Sequence, residues 1–167
     1  MIINFLIIIQ GTMKSIEIFR VVKREDSSLV KLKSTGKLAV VNTVHKTPID
    51  VANFVRKCLK DNLLAKEEIW VLPYDSKREI LGIVEVVIGT TNSAVVDPVS
   101  VLQPVLLLNA IDFIIVHNHP SGSCEPSEYD YATTKRMREA GDLIGLRMTD
   151  HLVMGERQFW SLQKIED

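Results

Sequence analysis

Two histidines, His117 and His119, stand two positions apart at the end of an apolar run. Alternate residues of a β-strand project to the same face, so the two imidazoles can bind one metal ion. Asp130 follows after the loop-forming residues 120–123 and falls in the first turn of a helix, where its carboxylate can face the same point. Two imidazoles and one carboxylate leave a fourth tetrahedral position open. This pattern is typical of a catalytic zinc, and it predicts one Zn²⁺ per chain.

Each part of this pattern also has a structural explanation. A bare His-x-His pair fits two solvated or packed histidines at a strand end. Ser127 and Asp130 fit a helix capping box, because they stand three residues apart ahead of a helical segment. The combination of His-x-His-Pro, a glycine turn and Ser-x-x-Asp is more specific and favours the metal site. His151 has the chemistry of a ligand, but the three-ligand site is already full, which favours a core position or one behind the ligands.

The string His117-x-His119-Pro120, followed after six intervening residues by Ser127-x-x-Asp130, resembles the JAMM motif of the JAB/MPN metalloprotease superfamily. The bacterial RadC-like branch is the closer resemblance. It is suggested by the strings HNHPSG at 117–122 and GTTNS at 89–93, and by Asp-His at 150–151 running into a glycine at 155. The resemblance covers roughly residues 47–162 and leaves the first forty or so uncovered.

The resemblance implies roles for individual residues. The implied zinc ligands are His117, His119 and Asp130. Ser127 is similar to the serine that supports the oxyanion and the metal-bound water. The family also uses a glutamate as general base on a strand well upstream. Glu85, among apolar neighbours in segment 80–88, is the candidate, because a half-buried carboxylate suits a base near neutral pH. Glu79 is the reserve.

The implied function is zinc-dependent hydrolysis of peptide or isopeptide bonds by a metal-activated water, as in a JAMM-type metalloprotease. Its partner is then a peptide or protein substrate. The alternative is a non-catalytic or accessory RadC-like protein associated with DNA repair or mobile elements. Lys plus Arg number 20 and Asp plus Glu number 21, for a net charge of -1, which weakens nucleic-acid binding as the main role. The intact ligand set favours the hydrolase.

Strands alternate with helices around these residues, and this order predicts an α/β fold. Segment 111–116 is apolar apart from Asp112 and predicts a central strand leading into His117 and His119. Hairpins are expected from segments 68–74 with 80–88 and 149–154 with 158–162, and helices near 48–62, 98–109 and 127–144. Two hairpins favour a mixed β-sheet flanked by helices. The resemblance implies a JAB/MPN-like architecture, layered as in cytidine deaminases.

The length of 167 residues predicts one main domain. We expect residues 45–167 to form the RadC-like domain and residues 1–44 to form an N-terminal extension with short strands at 16–22, 29–33 and 38–44. The apolar run Met1–Ile9 is too short for a membrane span and lacks the flanks of a signal peptide. It is a buried strand, an arm on a partner subunit or, the favoured interpretation, sequence upstream of a true start at Met13.

Two cysteines, Cys58 and Cys124, cannot make a disulfide framework, so a reducing compartment is expected. The sequence therefore predicts a cytoplasmic protein without membrane association. The oligomeric state is left open.

Overall fold

The computed structural model describes residues 14–23, 30–41, 47–58, 66–88 and 96–163. The strands in these ranges are β1 Lys14–Lys23, β2 Val30–Val41, β3 Glu68–Tyr74, β4 Ile83–Ile88, β5 Asp112–Asn118, β6 Arg147–Met154 and β7 Phe159–Ser161. The helices are α1 Pro48–Cys58, α2 Pro98–Leu107 and α3 Glu128–Leu143. In this described part of the chain, no helix is both long and apolar enough to cross a membrane.

The described strands form one sheet in the order β2-β1-β4-β3-β5-β6-β7. The pairs β1/β4 and β5/β6 are parallel, and the other neighbouring pairs are antiparallel. The sheet is therefore mixed, and β3/β4 and β6/β7 are the two predicted hairpins. Strand β5 lies between β3 and β6, and every one of its residues is buried. The prediction of a central strand here is confirmed.

Helices cover both faces of this sheet. Helix α1 packs on one face against a cluster that includes Trp70, Ile83 and Val116. Helices α2 and α3 pack on the other face against a cluster that includes Ile69 and Ile115. The two sets separate because side chains alternate along a strand. We name these surfaces the α1 face and the α2/α3 face. The expected helix-flanked α/β architecture is confirmed.

The helices begin at side chains that cap them. Ahead of α1, the backbone N–H and the hydroxyl of Thr47 both donate to Asp50 Oδ2, at 3.0 and 2.7 Å. Asp97 accepts two backbone N–H groups of the first turn of α2, and Ser127 caps α3. These bonds satisfy donors that a helix start otherwise leaves unpaired. The predicted extension of α1 to about residue 62 lies outside the described residues.

The N-terminal strands depart from the prediction in one respect. Residues 30–41 form a single strand, where two strands at 29–33 and 38–44 were expected. The register of β1 against β2 shifts between Glu17 and Phe19. Residues 35–37 of β2 are accommodated at this irregularity, and β2 continues beyond it. Strand β1 also pairs with β4, which joins this hairpin to the main sheet. The division at residue 45 stays a prediction, and Met1–Ile9 lies outside the described residues.

Candidate metal centre

Strand β5 carries the first two candidate ligands to its carboxyl end. His117 is 2% exposed and lies opposite Ile69 of β3, on the α2/α3 face. His119 follows the last residue of the strand, and its N–H donates to the carbonyl of Met154 at 3.0 Å. This bond ties the end of β5 to the end of β6. The ring centroids of the two histidines are 4.9 Å apart, so the expected convergence of the imidazoles is present.

The loop after β5 turns the chain back so that α3 begins beside the histidines. Gly122, at a φ of 80°, adopts a left-handed conformation that other residues rarely take, and its N–H donates to the carbonyl of His119 at 3.0 Å. Ser127 then caps α3 by accepting the N–H of Asp130, while its own N–H and Oγ donate to Asp130 Oδ2. This reciprocal capping box holds Asp130 with its carboxylate toward the histidines.

The nitrogen and oxygen atoms of the three side chains come close enough together to contact one small ion. His117 Nε2 lies 3.0 Å from His119 Nε2 and 3.2 Å from Asp130 Oδ1, and His119 Nε2 lies 3.5 Å from Asp130 Oδ2. Zinc bonds of about 2.0–2.1 Å at tetrahedral angles separate two ligand atoms by about 3.3 Å. Two imidazole nitrogens and a carboxylate oxygen are also zinc ligands by type. The three residues therefore form a group that could hold a metal ion.

The charges of the group favour an ionised carboxylate. Burial alone would raise the pKa of Asp130, but hydrogen bonds with His117 and His119 outweigh it and hold that pKa well below its usual range. The hydrogen bond with Asp130 in turn raises the pKa of His119, against the opposing effect of burial. The ionised carboxylate of Asp130 therefore favours positive charge between the three side chains. Protons on the histidines or a bound cation can supply that charge.

A second layer of side chains lies behind the ligands. His117 Nδ1 is 2.7 Å from His151 Nε2, and His151 Nδ1 is 2.7 Å from Thr134 Oγ1. Thr134 Oγ1 donates to the carbonyl of Asp130 at 2.6 Å. Burial holds the pKa of His151 well below its usual range, and the nearby His117 lowers it further. His151 therefore lies behind the candidate ligands, which is one of the two positions that the sequence predicts for it. No sequence pattern singles out Thr134.

A narrow pocket of about 10 Å³, the space of one water, opens beside the ligands. Its walls include two of the three candidate ligands, His117 and Asp130, together with Glu67, Tyr129 and Thr133. Glu67 precedes β3, two positions before Ile69, and its charge contributes to raising the pKa of His119. Sequence reasoning missed this glutamate, because its place at the site depends on β3 pairing with β5.

The two glutamates singled out from the sequence lie elsewhere. Glu85 pairs across strands with Trp70 and with Arg20, on the α1 face, and its carboxylate forms an ion pair with the Arg20 guanidinium. Glu79 is exposed in the β3–β4 turn, at the end of β3 remote from His117. The structure does not bring either to the ligands. This placement of Glu85 speaks against the expectation that its carboxylate acts as the base at the ligands, whereas Glu67 does line the pocket beside them.

A wider cleft runs along the outer side of the ligand loop. It has a volume of about 460 Å³ and lies between residues 122–125 of the loop and the β6–β7 turn with the start of β7. Trp160 lines it and is 47% exposed. Strand β7 is at the edge of the sheet, with β6 on its one paired side among the described strands. The cleft thus combines an exposed aromatic ring with an edge strand.

The helix-flanked mixed sheet and the His-His-Asp group at its β5–α3 junction define a JAB/MPN-type domain. A family model described as a RadC-like JAB domain matches residues 45–166. This match covers most of the chain, so the chain belongs to the RadC-like JAB domain family. The resemblance inferred from the sequence is confirmed.

Curated relatives are similar over much of the chain. A UPF0758 protein of Bacillus velezensis is 34% identical over 154 residues, which are 92% of this chain and 63% of that protein. A UPF0758 protein of Bacillus pumilus is 40% identical over 121 residues, 72% of this chain and 53% of that protein. A third, of Desulforamulus reducens, is 37% identical over 125 residues, 75% and 54% of the two chains. The chain therefore spans between half and two thirds of the length of these relatives.

Proposed function

We propose that this protein is a zinc-dependent hydrolase of peptide or isopeptide bonds. The observation that carries the proposal is the convergence of His117, His119 and Asp130, whose facing atoms lie 3.0–3.5 Å apart, beside a pocket that Glu67 also lines. Three protein ligands leave one position for water or substrate, which is the arrangement of catalytic zinc sites. Membership of the RadC-like JAB domain family supports the same interpretation.

In this proposal, three residues bind the metal ion and a fourth transfers the proton. His117, His119 and Asp130 would hold the ion, which when bound supplies Lewis acidity and lowers the pKa of water to about 7. Glu67 lines the one-water pocket beside them. We propose that its carboxylate takes a proton from the attacking water and returns it to the leaving amine, as a general base and then a general acid.

Ser127 has a position that suits a supporting role. Its hydroxyl donates to Asp130 Oδ2 at 2.7 Å, and its residue is exposed beside the ligands. In this arrangement the hydroxyl orients the carboxylate before any substrate is present. We propose that this hydroxyl turns its one hydrogen from Asp130 Oδ2 to the developing oxyanion of the bound substrate, where one such donor contributes about 3–4 kcal/mol in other enzymes.

The substrate proposal rests on the wide cleft beside the ligand loop. An extended peptide can add to an edge strand by backbone hydrogen bonds, and β7 offers such an edge. Trp160, half exposed in the same cleft, supplies an apolar contact for a substrate side chain. These features favour a peptide over a small amide. A cytoplasmic location belongs to the same proposal and is supported by the two free thiols of Cys58 and Cys124.

The test is metal content together with cleavage. Protein purified without added metal should contain about one zinc per chain, and His119→Ala should lose it while the fold persists. Asp142→Asn, an exposed acid at the far end of α3, is the matched control and should keep its zinc. Wild type should cleave peptide or isopeptide-linked reporters, lose activity with a chelator and regain it with zinc. Equal zinc in wild type and His119→Ala would refute the assignment of the ligands.

A further inference from the structure

One buried hydroxyl beside the candidate ligands has no part in the chemistry proposed above. Thr133 lies on α3, three residues after Asp130, and is 4% exposed. Its Oγ1 is buried and has no hydrogen-bond partner among the described residues. A buried hydroxyl without a partner destabilises a fold, so a group of this kind requires an explanation.

The neighbouring threonine shows how such a hydroxyl is usually satisfied. Thr134 is also buried, and its Oγ1 donates to the carbonyl of Asp130, four positions earlier, at 2.6 Å. This bond to the preceding helical turn is the common one for a threonine within a helix. The corresponding carbonyl for Thr133 is that of Tyr129, and no bond joins the two. The hydroxyl of Thr133 therefore keeps both its hydrogen and its lone pairs for another partner.

Thr133 lines the narrow pocket beside the ligands, whose volume of about 10 Å³ is the space of one water. Part of the wall is apolar and offers a water no hydrogen bond. These apolar side chains are Ile69, Val96 and Ile115. A buried water requires two to four polar partners, so its partners must come from the polar part of the wall.

The polar side chains of the wall differ in the bonds they already make. The Tyr129 hydroxyl accepts a backbone N–H at 3.3 Å, and the Asp130 carboxylate accepts the bonds of the helix cap. The two histidines of the wall lie within hydrogen-bond distance of each other. No hydrogen bond or ion pair joins the Glu67 side chain to another residue in the described ranges. Glu67 and Thr133 are therefore the wall residues whose polar groups are available to a water.

We infer that Thr133 is a positioning residue whose hydroxyl, together with the Glu67 carboxylate, binds one water in this pocket. The inference rests on the proposed function, because this water is a reactant only if the site hydrolyses amide bonds. Glu67 precedes β3 and Thr133 belongs to α3, so two separate elements hold the water. A water held at two points loses less freedom when it reaches the geometry of attack, and this increases the rate.

The experiment compares Thr133→Val, which removes the hydroxyl at nearly constant volume, with Thr133→Ser, which keeps it. Crystal structures that resolve ordered water should show, in wild type and Thr133→Ser, one water within about 2.6–3.2 Å of both the residue-133 hydroxyl and a Glu67 carboxylate oxygen. Thr133→Val should lose this water. It should also lower kcat for a peptide reporter by about 10–100-fold, with KM and zinc content unchanged, and Thr133→Ser should restore kcat.

Thr149→Val is the matched control. Thr149 lies near the start of β6, at the end remote from His117, and its hydroxyl donates to the carbonyl of Phe113 at 3.4 Å. This variant should keep both the water and kcat. A wild type without a water between Thr133 and Glu67, a water that persists in Thr133→Val, or an unchanged kcat after its loss would overturn the inference. The expected water in a wild type that cleaves no amide bond would instead refute the proposed function and leave the water site standing.

Discussion

The carboxylate of Asp130 faces the helix cap and the two histidines at once. Oδ2 accepts from the backbone and the hydroxyl of Ser127 and lies 3.5 Å from His119 Nε2, while Oδ1 lies toward His117. The same ionised group therefore fixes the start of a helix and contributes to the candidate metal site. The capping bonds therefore explain the position of the carboxylate that the candidate metal site requires.

The assignment of the base gives the first prediction. Glu67→Gln should keep zinc, because Glu67 is not one of the three ligands, but should lower kcat by about 10²–10⁴-fold, the usual contribution of general-base catalysis. Steady-state cleavage of a peptide reporter and metal content measure the two properties. Glu85→Gln is the control. It removes one partner of the Arg20 ion pair on the α1 face and should leave kcat unchanged well below the melting temperature. Loss of turnover in Glu85→Gln alone would reverse the assignment.

The candidate ligands could be predicted from the sequence, whereas the proposed base could not, for a physical reason. His117, His119 and Asp130 come from adjacent elements, so local spacing determines that they meet. Glu67 meets them only because β3 hydrogen-bonds to β5, with β4 on the far side of β3. Strand order is a tertiary property that local patterning does not specify. The apolar neighbours of Glu85 indicate burial but not the face, and the side chain lies buried on the α1 face, away from the ligands.

At the level of elements, the β6–β7 turn supports the ligand loop by close backbone contact. A Cβ on Gly155 would lie 2.5 Å from the carbonyl oxygen of Gly122 and 2.9 Å from the N of Cys124. Real Cβ atoms do not approach backbone so closely, so one of the two segments would have to move. The Gly122 carbonyl also accepts the N–H of Glu156 at 2.9 Å, which makes the two segments a single rigid unit.

We therefore expect Gly155→Ala to displace the ligand loop and weaken zinc binding by about 10–100-fold, a loss typical of damage to the surroundings of metal ligands. A competition titration with a chromogenic chelator measures it. Gly145→Ala is the control. Its φ of 77° is strained for alanine, but a Cβ there meets no described atom within 4 Å. It should cost about 1 kcal/mol of stability and leave zinc affinity unchanged. Equal zinc affinity in the two variants would contradict the supporting role of the turn.

The cap of α2 gives a pH-dependent prediction. Asp97 accepts from Ser100 Oγ and from two backbone N–H groups, and the bond from Ser100 is the main cause that lowers its pKa. A lowered pKa in the folded state means that the charged group stabilises the fold above the ordinary value of about 4 and that this contribution is lost as the pH falls through the folded-state pKa. Asp97→Ala should therefore cost about 0.5–2 kcal/mol at pH 7 and less in acid.

Urea unfolding of wild type and variant across this range measures the difference. The range has to extend below pH 4, because the pKa of Asp97 is lowered in the folded state. Asp97→Asn keeps an acceptor without the charge, so at pH 7 it should cost less stability than Asp97→Ala. A cost for Asp97→Ala that grows in acid would contradict the expected direction of the pH dependence.

Among the elements, those with a strong local signal were predictable. The caps at Thr47, Asp97 and Ser127 marked the helix starts, and the apolar run before His117 marked β5. The sequence predicts two strands in place of β2, because residues 34–36, Ser-Thr-Gly, have the composition of a turn. Pairing along β1 overrides that local preference, and the irregularity appears as a shift of register within one strand.

At the scale of the whole molecule, the N-terminal hairpin contributes to the core of the sheet. Ile16 and Ile18 of β1 are 5% and 1% exposed and belong to the cluster that packs with α1. The hairpin therefore forms part of the hydrophobic core, although the family match begins only at residue 45. A dispensable extension would not bury these side chains.

Ile18→Ala should accordingly destabilise the whole domain by about 2–5 kcal/mol, the usual cost of removing a large side chain from a core. Chemical denaturation, followed by a far-ultraviolet signal from all elements, measures this loss. Glu17→Ala, the exposed neighbour on the same strand, should be nearly neutral. A cost below about 0.5 kcal/mol for Ile18→Ala would show that the hairpin folds and unfolds apart from the rest.

The spacing of the ligands also has a consequence for the order in which the molecule assembles. His117, His119 and Asp130 lie within fourteen residues, whereas Glu67 is fifty residues before His117. The entropy of closing a chain grows with the logarithm of its length, so bringing Glu67 to His117 costs about 1 kcal/mol more than bringing the ligands together. Short-range contacts of this kind form early in folding. A chain that folds in this order would assemble its candidate cation site before the proposed base reaches that site.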